Sequence, residues 1–247
     1  MQESTAGFEG AGRVFRQADP VTSVDIAIDE RLRQSLPQIL DVPVVSEESE
    51  RDIGNVDSPL AWVVDPIDGT HNLVAGLLDY GVSVALVDTE TLSANMGACW
   101  LPARHLLFSA REGAGAYLNG QRLPTIDPMV DRRLVAYGMP AEAYRDTATA
   151  SQIVQRLMEN GLVLRQTGSA VSDICQVASG AYLGFVEEGL MLWDFVAADV
   201  VAREVGAASW RVPGRQPYAA AGSFDYAVSG HPDRLSMLLE SMGQTSD

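Results

Sequence analysis

The sequence contains no lysine: all 17 basic residues are arginines, and 33 aspartates and glutamates bring the formal net charge to −16. The absence of lysine excludes a lysine nucleophile or a Schiff base from any mechanism. The shortage of positive charge argues against binding to nucleic acid or to an anionic membrane, because both need a basic footprint. A protein this acidic that acts on an anionic substrate is expected to take its positive charge from metal ions.

Cysteine and long apolar runs are also scarce. The two cysteines, Cys99 and Cys175, are too few and too far apart in the sequence for a zinc site or a disulfide framework, so we expect buried free thiols. No run approaches the roughly 20 apolar residues of a membrane span, and the N-terminal segment lacks the apolar core of a signal peptide. These absences predict a soluble, cytoplasmic protein without a membrane partner.

The chain of 247 residues, 47% of them hydrophobic, is long enough for one large domain or two modest ones. Strand-like and helix-like patterns alternate, which predicts a layered α/β or α+β architecture. A weakly marked boundary near residues 124–132 divides an N-terminal α+β part, 1–127, from a C-terminal α/β part, 128–247. The predicted helices cover residues 24–36, 148–158, 169–178 and 194–205, and the predicted strands cover 42–45, 61–64, 81–87, 97–100, 106–109, 162–164 and 182–186. Residues 1–20 are expected to form a short helix or no regular structure.

The most informative stretch is WVVDPIDGTHNL, residues 62–73. Its apolar strand is expected to end at Asp65, and a tight turn through Gly69 then leads into a helical segment at Thr70. Two carboxylates three residues apart on a rigid turn, Asp65 and Asp68, are typical of a site for hard cations. Backbone N–H groups of Gly69 and Thr70 at a helix start would bind phosphate. The alternative, a solvated turn with an aspartate cap, fits this pattern less well.

Four further features of the sequence offer acids or backbone amides to a candidate site. Glu47 and Glu48 follow a short strand, where two adjacent acids are surface charge or, beside the first motif, metal ligands and a general base. Asp194 stands at the head of an apolar helix, as an N-cap, a metal ligand or both. Glu187 follows another strand, and Gly168-Ser169 begin a helix whose amides offer a second pocket for substrate oxygens.

In this order, the segments SEES, WVVDPIDGT and LWDFVAADVVAREVGA resemble the inositol monophosphatase family of lithium-sensitive, magnesium-dependent phosphomonoesterases. Weaker similarity runs from Val21 onward, through GAGAYLNGQRL and RQTGSAVSDICQVASG. The resemblance implies a five-layer α-β-α-β-α sandwich of the inositol monophosphatase and fructose-1,6-bisphosphatase type. It also implies two or three Mg²⁺ ions and a homodimer.

The resemblance assigns roles by position. It implies that the metal ligands are the side chains of Glu47, Asp65, Asp68 and Asp194 with the Ile67 carbonyl. Thr70, paired with Glu47, would activate the attacking water together with Asp65, and Asp25 would lie near the water shell of a third ion. Substrate would contact Asp68, Gly69, Thr70, Gly168, Ser169, Glu187 and Asp194.

These assignments predict a Mg²⁺-dependent phosphomonoesterase that acts on a small polyol phosphate, foremost inositol 1-phosphate. The alternatives are histidinol phosphate, 3′-phosphoadenosine 5′-phosphate and fructose 1,6-bisphosphate as substrates, or a catalytically silent regulator. Ile67 between the motif aspartates and His71 after the threonine favour the polyol over the adenosine bisphosphate. The helix that the family carries before the VTSVD segment is short or missing here, which bears on the dimer interface rather than on the chemistry.

Overall fold

The computed structural model describes residues 14–16, 19–48, 53–127, 129–139, 147–214 and 222–244. Its helices are α1 (Ser23–Ile39), α2 (Thr70–Ala75), α3 (Thr147–Glu159), α4 (Ala170–Ala178), α5 (Leu192–Arg203) and α6 (Leu235–Ser241). Its strands are β1 (Val14–Arg16), β2 (Asp19–Val21), β3 (Val44–Ser46), β4 (Leu60–Asp68), β5 (Gly81–Asp88), β6 (Ala94–Leu101), β7 (Leu106–Arg111), β8 (Gly115–Leu118), β9 (Gln121–Arg122), β10 (Leu134–Tyr137), β11 (Val163–Arg165), β12 (Gly184–Leu190), β13 (Ala208–Pro213) and β14 (Phe224–Ser229).

Two sheets organise the molecule. A seven-stranded sheet runs β3-β4-β5-β6-β7-β8-β9, and a five-stranded sheet runs β11-β10-β12-β14-β13. Helices α4 and α5 lie between them, since α5 packs on β5 and β6 and also on β13 and β14. Helix α1 covers the outer face of the larger sheet, while α3 and α6 cover the outer face of the smaller one. The predicted α-β-α-β-α layering and the mixed α/β class are confirmed.

The hydrophobic core follows these layers. Apolar residues of α4 and α5, such as Ile174 and Phe195, are fully buried in the central cluster with side chains of both sheets. Strand β4 is buried along nearly its whole length because layers cover both of its faces. Cys99 and Cys175 are both buried free thiols in this cluster, as expected. The domain division at residue 127 stays a prediction.

Local sequence signals located most of the helices but gave no prediction for β10, β13, β14 or α6. Asn119 and Gly120, with φ of 50° and 78°, form the two-residue turn between β8 and β9 that the Asn-Gly pair predicts. Thr22 caps α1 through a capping box with Asp25. Among the described residues, none of the helices is both long and apolar enough to cross a bilayer.

Four expectations about local structure were wrong. Helix α1 continues through Pro37 to Ile39. The proline removes only the hydrogen bond of its own nitrogen, and the Leu40 N–H closes the last turn by donating to the Leu36 carbonyl at 3.1 Å. Strand β4 does not end at Asp65 but continues to Asp68 across an irregular pair with β5. Asp194 is the third residue of α5 rather than its N-cap, and helix formation begins at Leu192.

The fourth concerns the N-terminal segment. The residues described there pair as the antiparallel strands β1 and β2 rather than as a short helix. Residues 1–13 and 17–18 of the predicted segment lie outside the described residues.

Candidate active site

The irregular end of β4 brings two motif aspartates toward one cleft. Strand β4 pairs with β5 through Asp65 opposite Ser83, and the pairing resumes with Asp68 opposite Gly81. Between these pairs β4 contains one more residue than β5, which is a β-bulge. Because side chains alternate between sheet faces, residues 65 and 68 would normally point to opposite faces, and the extra residue turns them toward the same side.

Asp68 is held by the start of α4. Its Oδ2 accepts hydrogen bonds from the Ser169 hydroxyl at 2.5 Å and from the Val171 backbone N–H at 2.8 Å. The Gly168-Ser169 segment, predicted to contact substrate, therefore adjoins the Asp65–Asp68 motif although it lies about a hundred residues further along the chain. Asn72 supports this contact, because its side-chain amide donates to the Thr167 carbonyl at 2.8 Å.

Gly69 permits this close approach. Its φ of +84° lies in the left-handed region. A Cβ at this position would lie 2.9 Å from the Asp79 carbonyl oxygen and 3.1 Å from that of Gly168. Any side chain would therefore separate the DPIDGT turn from the Gly168-Ser169 segment.

The hydroxyl of Thr70 has partners that the sequence did not assign. It lies 3.0 Å from Asp25 Oδ1 and 2.9 Å from the Ile67 carbonyl oxygen. Sequence reasoning paired Thr70 with Glu47, whereas the structure pairs it with Asp25. Asp25 is itself 2% exposed and fixed by hydrogen bonds from the backbone and hydroxyl of Thr22. Sequence reasoning placed Asp25 near a third ion but gave no signal for its contact with Thr70.

Asp194 reaches the same cleft from α5. Its Oδ2 accepts a hydrogen bond from the Met191 backbone N–H at 2.7 Å, which fixes the carboxylate at the start of the helix. Ser83, the β5 residue opposite Asp65, donates its hydroxyl to the Trp193 carbonyl at 3.2 Å. This contact joins the beginning of α5 to the strand next to β4.

The electrostatics show that these acids act on one another. Burial raises the pKa of Asp65 well above its usual range, and the charges of Glu47, Asp68 and Asp194 raise it further. Burial also raises the pKa of Asp194, again with contributions from Glu47 and Asp68. Burial raises the pKa of Asp68 to about 6, even though the hydrogen bonds from Ser169 and from the start of α4 lower it. The fold therefore brings together the four predicted metal-binding carboxylates.

The donor set fits hard divalent cations. Asp65 Oδ1 is buried and has no hydrogen-bond partner among the described residues, which is costly unless a ligand compensates it. Carboxylate and carbonyl oxygens are what Mg²⁺ prefers. In the part of the chain that the structure describes, no three His, Cys, Asp or Glu side chains are already arranged as a metal site. Oδ2 of Asp68 and Oδ2 of Asp194 each accept hydrogen bonds from the protein, which fix the orientation of these two carboxylates.

Glu187 and Asp173 extend the acidic cleft toward the smaller sheet. Burial raises the pKa of Glu187 well above its usual range, and the charges of Asp68 and Asp173 raise it further. Asp173, which sequence reasoning did not single out, is 1% exposed and accepts the Thr167 hydroxyl at 2.7 Å. Burial raises its pKa to about 7. Its only sequence signal was a lone acid inside an otherwise apolar helix.

Comparison with known proteins agrees with this geometry. The model of the inositol monophosphatase family matches residues 3–242. The chain belongs to the inositol monophosphatase family. Within the family, a relative named Nus factor SuhB from Salmonella typhimurium (strain LT2) is 34% identical over 230 residues, which cover 91% of this chain and 82% of that protein. An Aquifex aeolicus relative named fructose-1,6-bisphosphatase/inositol-1-monophosphatase is 32% identical over 192 residues, 77% of this chain and 71% of that protein.

Solved structures of family members share the fold. The extragenic suppressor protein suhB of Bartonella henselae superposes with a TM-score of 0.79 at 26% identity, over 94% of this chain and 88% of that one. An IMPase/NADP phosphatase solved with Mg²⁺ and phosphate superposes with a TM-score of 0.75 at 20% identity, over 96% of this chain and 89% of that one. The resemblance seen in the sequence is thus confirmed, whereas the roles of individual residues and the expected absence of a nucleic-acid partner stay predictions.

Proposed function

We propose that this protein is a Mg²⁺-dependent phosphomonoesterase that hydrolyses a small polyol phosphate, with inositol 1-phosphate as the leading substrate. The observation that carries the proposal is the convergence of Glu47, Asp65, Asp68 and Asp194 in one cleft. Burial raises the pKa values of the three aspartates, and repulsion by neighbouring acids raises those of Asp65 and Asp194 further. Uncompensated, such a cluster would repel a phosphate dianion. Two or three bound cations would make the electrostatic potential in the cleft positive, so that it attracts the phosphate.

The positions of the side chains support the following roles. Glu47, Asp65, Asp68, Asp194 and the Ile67 carbonyl would hold the ions. Bound Mg²⁺ supplies the charge that lowers the pKa of a water molecule and stabilises the leaving alkoxide. Thr70, whose hydroxyl lies 3.0 Å from the Asp25 carboxylate, would orient the attacking water, with Asp25 as the acceptor that fixes the hydroxyl proton. Asp25 would thus act beside Thr70 in addition to its predicted place near a third ion.

The alcohol half of the substrate would lie toward the smaller sheet. Ser169 and the backbone near Gly69 would position the phosphate, and the Glu187 carboxylate would accept hydrogen bonds from ring hydroxyls beside the ester. An acceptor of this kind favours a polyol over an alcohol with a single oxygen. Histidinol phosphate, 3′-phosphoadenosine 5′-phosphate and fructose 1,6-bisphosphate remain the alternative substrates of this chemistry.

The direct test is release of inorganic phosphate from a panel of these four substrates in the presence of Mg²⁺. We expect inositol 1-phosphate to show the highest kcat/KM and lithium to inhibit in the millimolar range, the latter on the family resemblance alone. The matched control is Asp65→Asn, which keeps the shape of the side chain and removes its charge. Equal turnover by Asp65→Asn and the wild type would refute the metal-site assignment.

A regulatory binding protein is the second candidate, because relatives at 34% identity carry the name Nus factor. A silent relative has no chemical reason to keep all four carboxylates, so we rank this function below catalysis. The same panel separates the two: a folded wild-type protein that releases no phosphate from any of the four substrates would favour the regulatory role.

The cytoplasmic location and the homodimer are further proposals. Leu77 and Leu78, just after α2, are 55% and 57% exposed beside the ion pair of Asp79 with Arg104. Light scattering of the purified protein at micromolar concentration would distinguish a dimer from a monomer. A Leu77→Glu variant that remained dimeric would place the interface elsewhere.

A further inference from the structure

A buried glycine lies against the carboxylate of Glu187. Gly138 directly follows β10, and a Cβ built on it would lie 1.7 Å from Glu187 Oε2 and 2.2 Å from Glu187 Cδ. Real atoms do not approach this closely, so the Glu187 carboxylate occupies the space that any other residue at position 138 would fill. The φ of Gly138 does not lie in the left-handed region, where the structure places twelve other glycines. Glycine is therefore required here because a side chain has no room, and not because of the backbone conformation.

The backbone on both sides of this contact is fixed. The Gly138 N–H donates to the Val186 carbonyl at 3.0 Å, which ties the end of β10 to β12. Glu187 is the next residue of β12 and pairs with Tyr226 of β14 on the other side. Neither backbone has room to retreat without breaking sheet hydrogen bonds, so a side chain at position 138 would have to displace the Glu187 carboxylate itself.

In the part of the chain that the structure describes, no hydrogen-bond donor holds this carboxylate in place. The charges that raise the pKa of Glu187 are those of Asp68 and Asp173, which are both acids and repel it. Among the described residues, packing therefore fixes where this carboxylate lies, and a ligand hydroxyl would supply a donor that these residues do not.

We propose that Gly138 is a positioning residue for substrate selectivity: by lacking a side chain, it provides the space that holds the Glu187 carboxylate where it can accept hydrogen bonds from hydroxyls next to the phosphate ester. This inference rests on the proposed phosphomonoesterase function and on the predicted role of Glu187. It assigns to position 138 a role in choosing the alcohol, and none in the hydrolysis of the ester bond.

The test compares Gly138→Ala with the wild type on two substrates, inositol 1-phosphate and p-nitrophenyl phosphate, which has no hydroxyl beside its ester. We expect the ratio of the two kcat/KM values to fall roughly 10- to 100-fold, as for loss of a hydrogen bond to a charged group. Because the atoms displaced are the far end of a flexible side chain, we expect the melting temperature to change by only a few degrees. Glu187→Gln should shift the ratio in the same direction.

A double substitution shows whether Gly138 acts through Glu187. In a Glu187→Ala background no carboxylate remains to be displaced, so adding Gly138→Ala should leave the ratio as it is in Glu187→Ala alone. Gly230→Ala is the matched control, since Gly230 is also buried directly after a strand of the same sheet and its added methyl would meet only side chains, the nearest being Ile126 at 3.1 Å. It should leave the ratio at the wild-type value.

The outcomes separate the inference from the function on which it rests. A wild type that hydrolyses both substrates and a Gly138→Ala variant with an unchanged ratio would overturn the role of Gly138 and leave the phosphatase intact. Equal losses from Gly138→Ala in the wild-type and Glu187→Ala backgrounds would also overturn it, because the effect would then not pass through Glu187. A wild type that hydrolyses neither substrate would refute the proposed function, and the selectivity role with it.

Discussion

Asp199 and the acids of the candidate site lie in opposite electrostatic environments. Asp199 on α5 is 7% exposed, and both of its oxygens have partners: Arg203 donates to one at 2.8 Å and the Tyr226 hydroxyl to the other at 2.9 Å. Five residues earlier on the same helix, Asp194 faces Asp65 and Asp68. Among the described residues, no arginine or histidine forms an ion pair with any of these three.

The difference separates a structural acid from functional ones. A buried carboxylate that serves the fold is neutralised by cationic and hydroxyl donors, because an unpaired buried charge is strongly destabilising. Acids that remain close together without a cationic partner lower the stability of the protein, and this arrangement is typical of sites that bind or transform a ligand. The contrast predicts that replacing aspartate by asparagine has opposite effects on turnover and stability at Asp194 and at Asp199.

The largest effect is expected for Asp194→Asn. Removing this charge should lower kcat on the order of 10³-fold at saturating substrate, since an ion held here would stabilise the leaving group. In the metal-free protein the same change should raise the melting temperature, because it removes repulsion with Asp65 and Glu47. Steady-state kinetics and thermal melts in EDTA measure both. A variant that lost stability and kept its turnover would show that Asp194, like Asp199, serves the fold.

Thr70→Ala is expected to reduce kcat next most strongly, by on the order of 10²-fold, as for loss of a group that positions a reacting water. Its hydroxyl lies within hydrogen-bonding distance of Asp25 and the Ile67 carbonyl, and Gly69 rather than Thr70 is the N-cap of α2. Thr70→Ser keeps the hydroxyl and should retain much of the activity. A Thr70→Ala protein that melts several degrees lower but keeps nearly wild-type turnover would assign the hydroxyl to the fold alone.

Asp199→Asn should have the opposite profile to Asp194→Asn. It removes the charge that pairs with Arg203, so the free energy of unfolding should fall by about 2–4 kcal/mol, with kcat/KM nearly unchanged. Urea denaturation measures the first quantity and phosphate release the second. A selective loss of activity at unchanged stability would contradict the structural role of Asp199.

The smallest effect is a pH dependence of stability in EDTA. Burial raises the pKa of Asp68 to about 6 in the folded state, compared with roughly 3.9 in an unfolded chain. The folded state therefore binds more protons between these values, so its free energy of unfolding should fall as the pH rises from about 4 to 7. We expect a decrease of about 2 kcal/mol, which Mg²⁺ should reverse. Urea denaturation at each pH would show a flat or rising stability if the cluster were already compensated.

Sequence reasoning located the candidate site because its residues occur in compact motifs. WVVDPIDGT places Asp65 and Asp68 at the end of a buried strand, and the order of the motifs identified the family. Partners that depend on tertiary contacts were not predictable in this way. Asp25 meets Thr70 across 45 residues of sequence, and Gly138 meets Glu187 across two strands that are not neighbours in sequence. Pro66 is the only local sequence signal for the β-bulge that turns Asp65 and Asp68 toward the same side.

The central claim is that the carboxylates of the candidate active site bind the cations that phosphoester hydrolysis needs. The most direct measurement is release of phosphate from inositol 1-phosphate by the wild-type protein, first in excess EDTA and then with Mg²⁺ restored in millimolar excess. Our account predicts no turnover above background in EDTA and recovery of activity on addition of Mg²⁺. Full turnover in EDTA would contradict it.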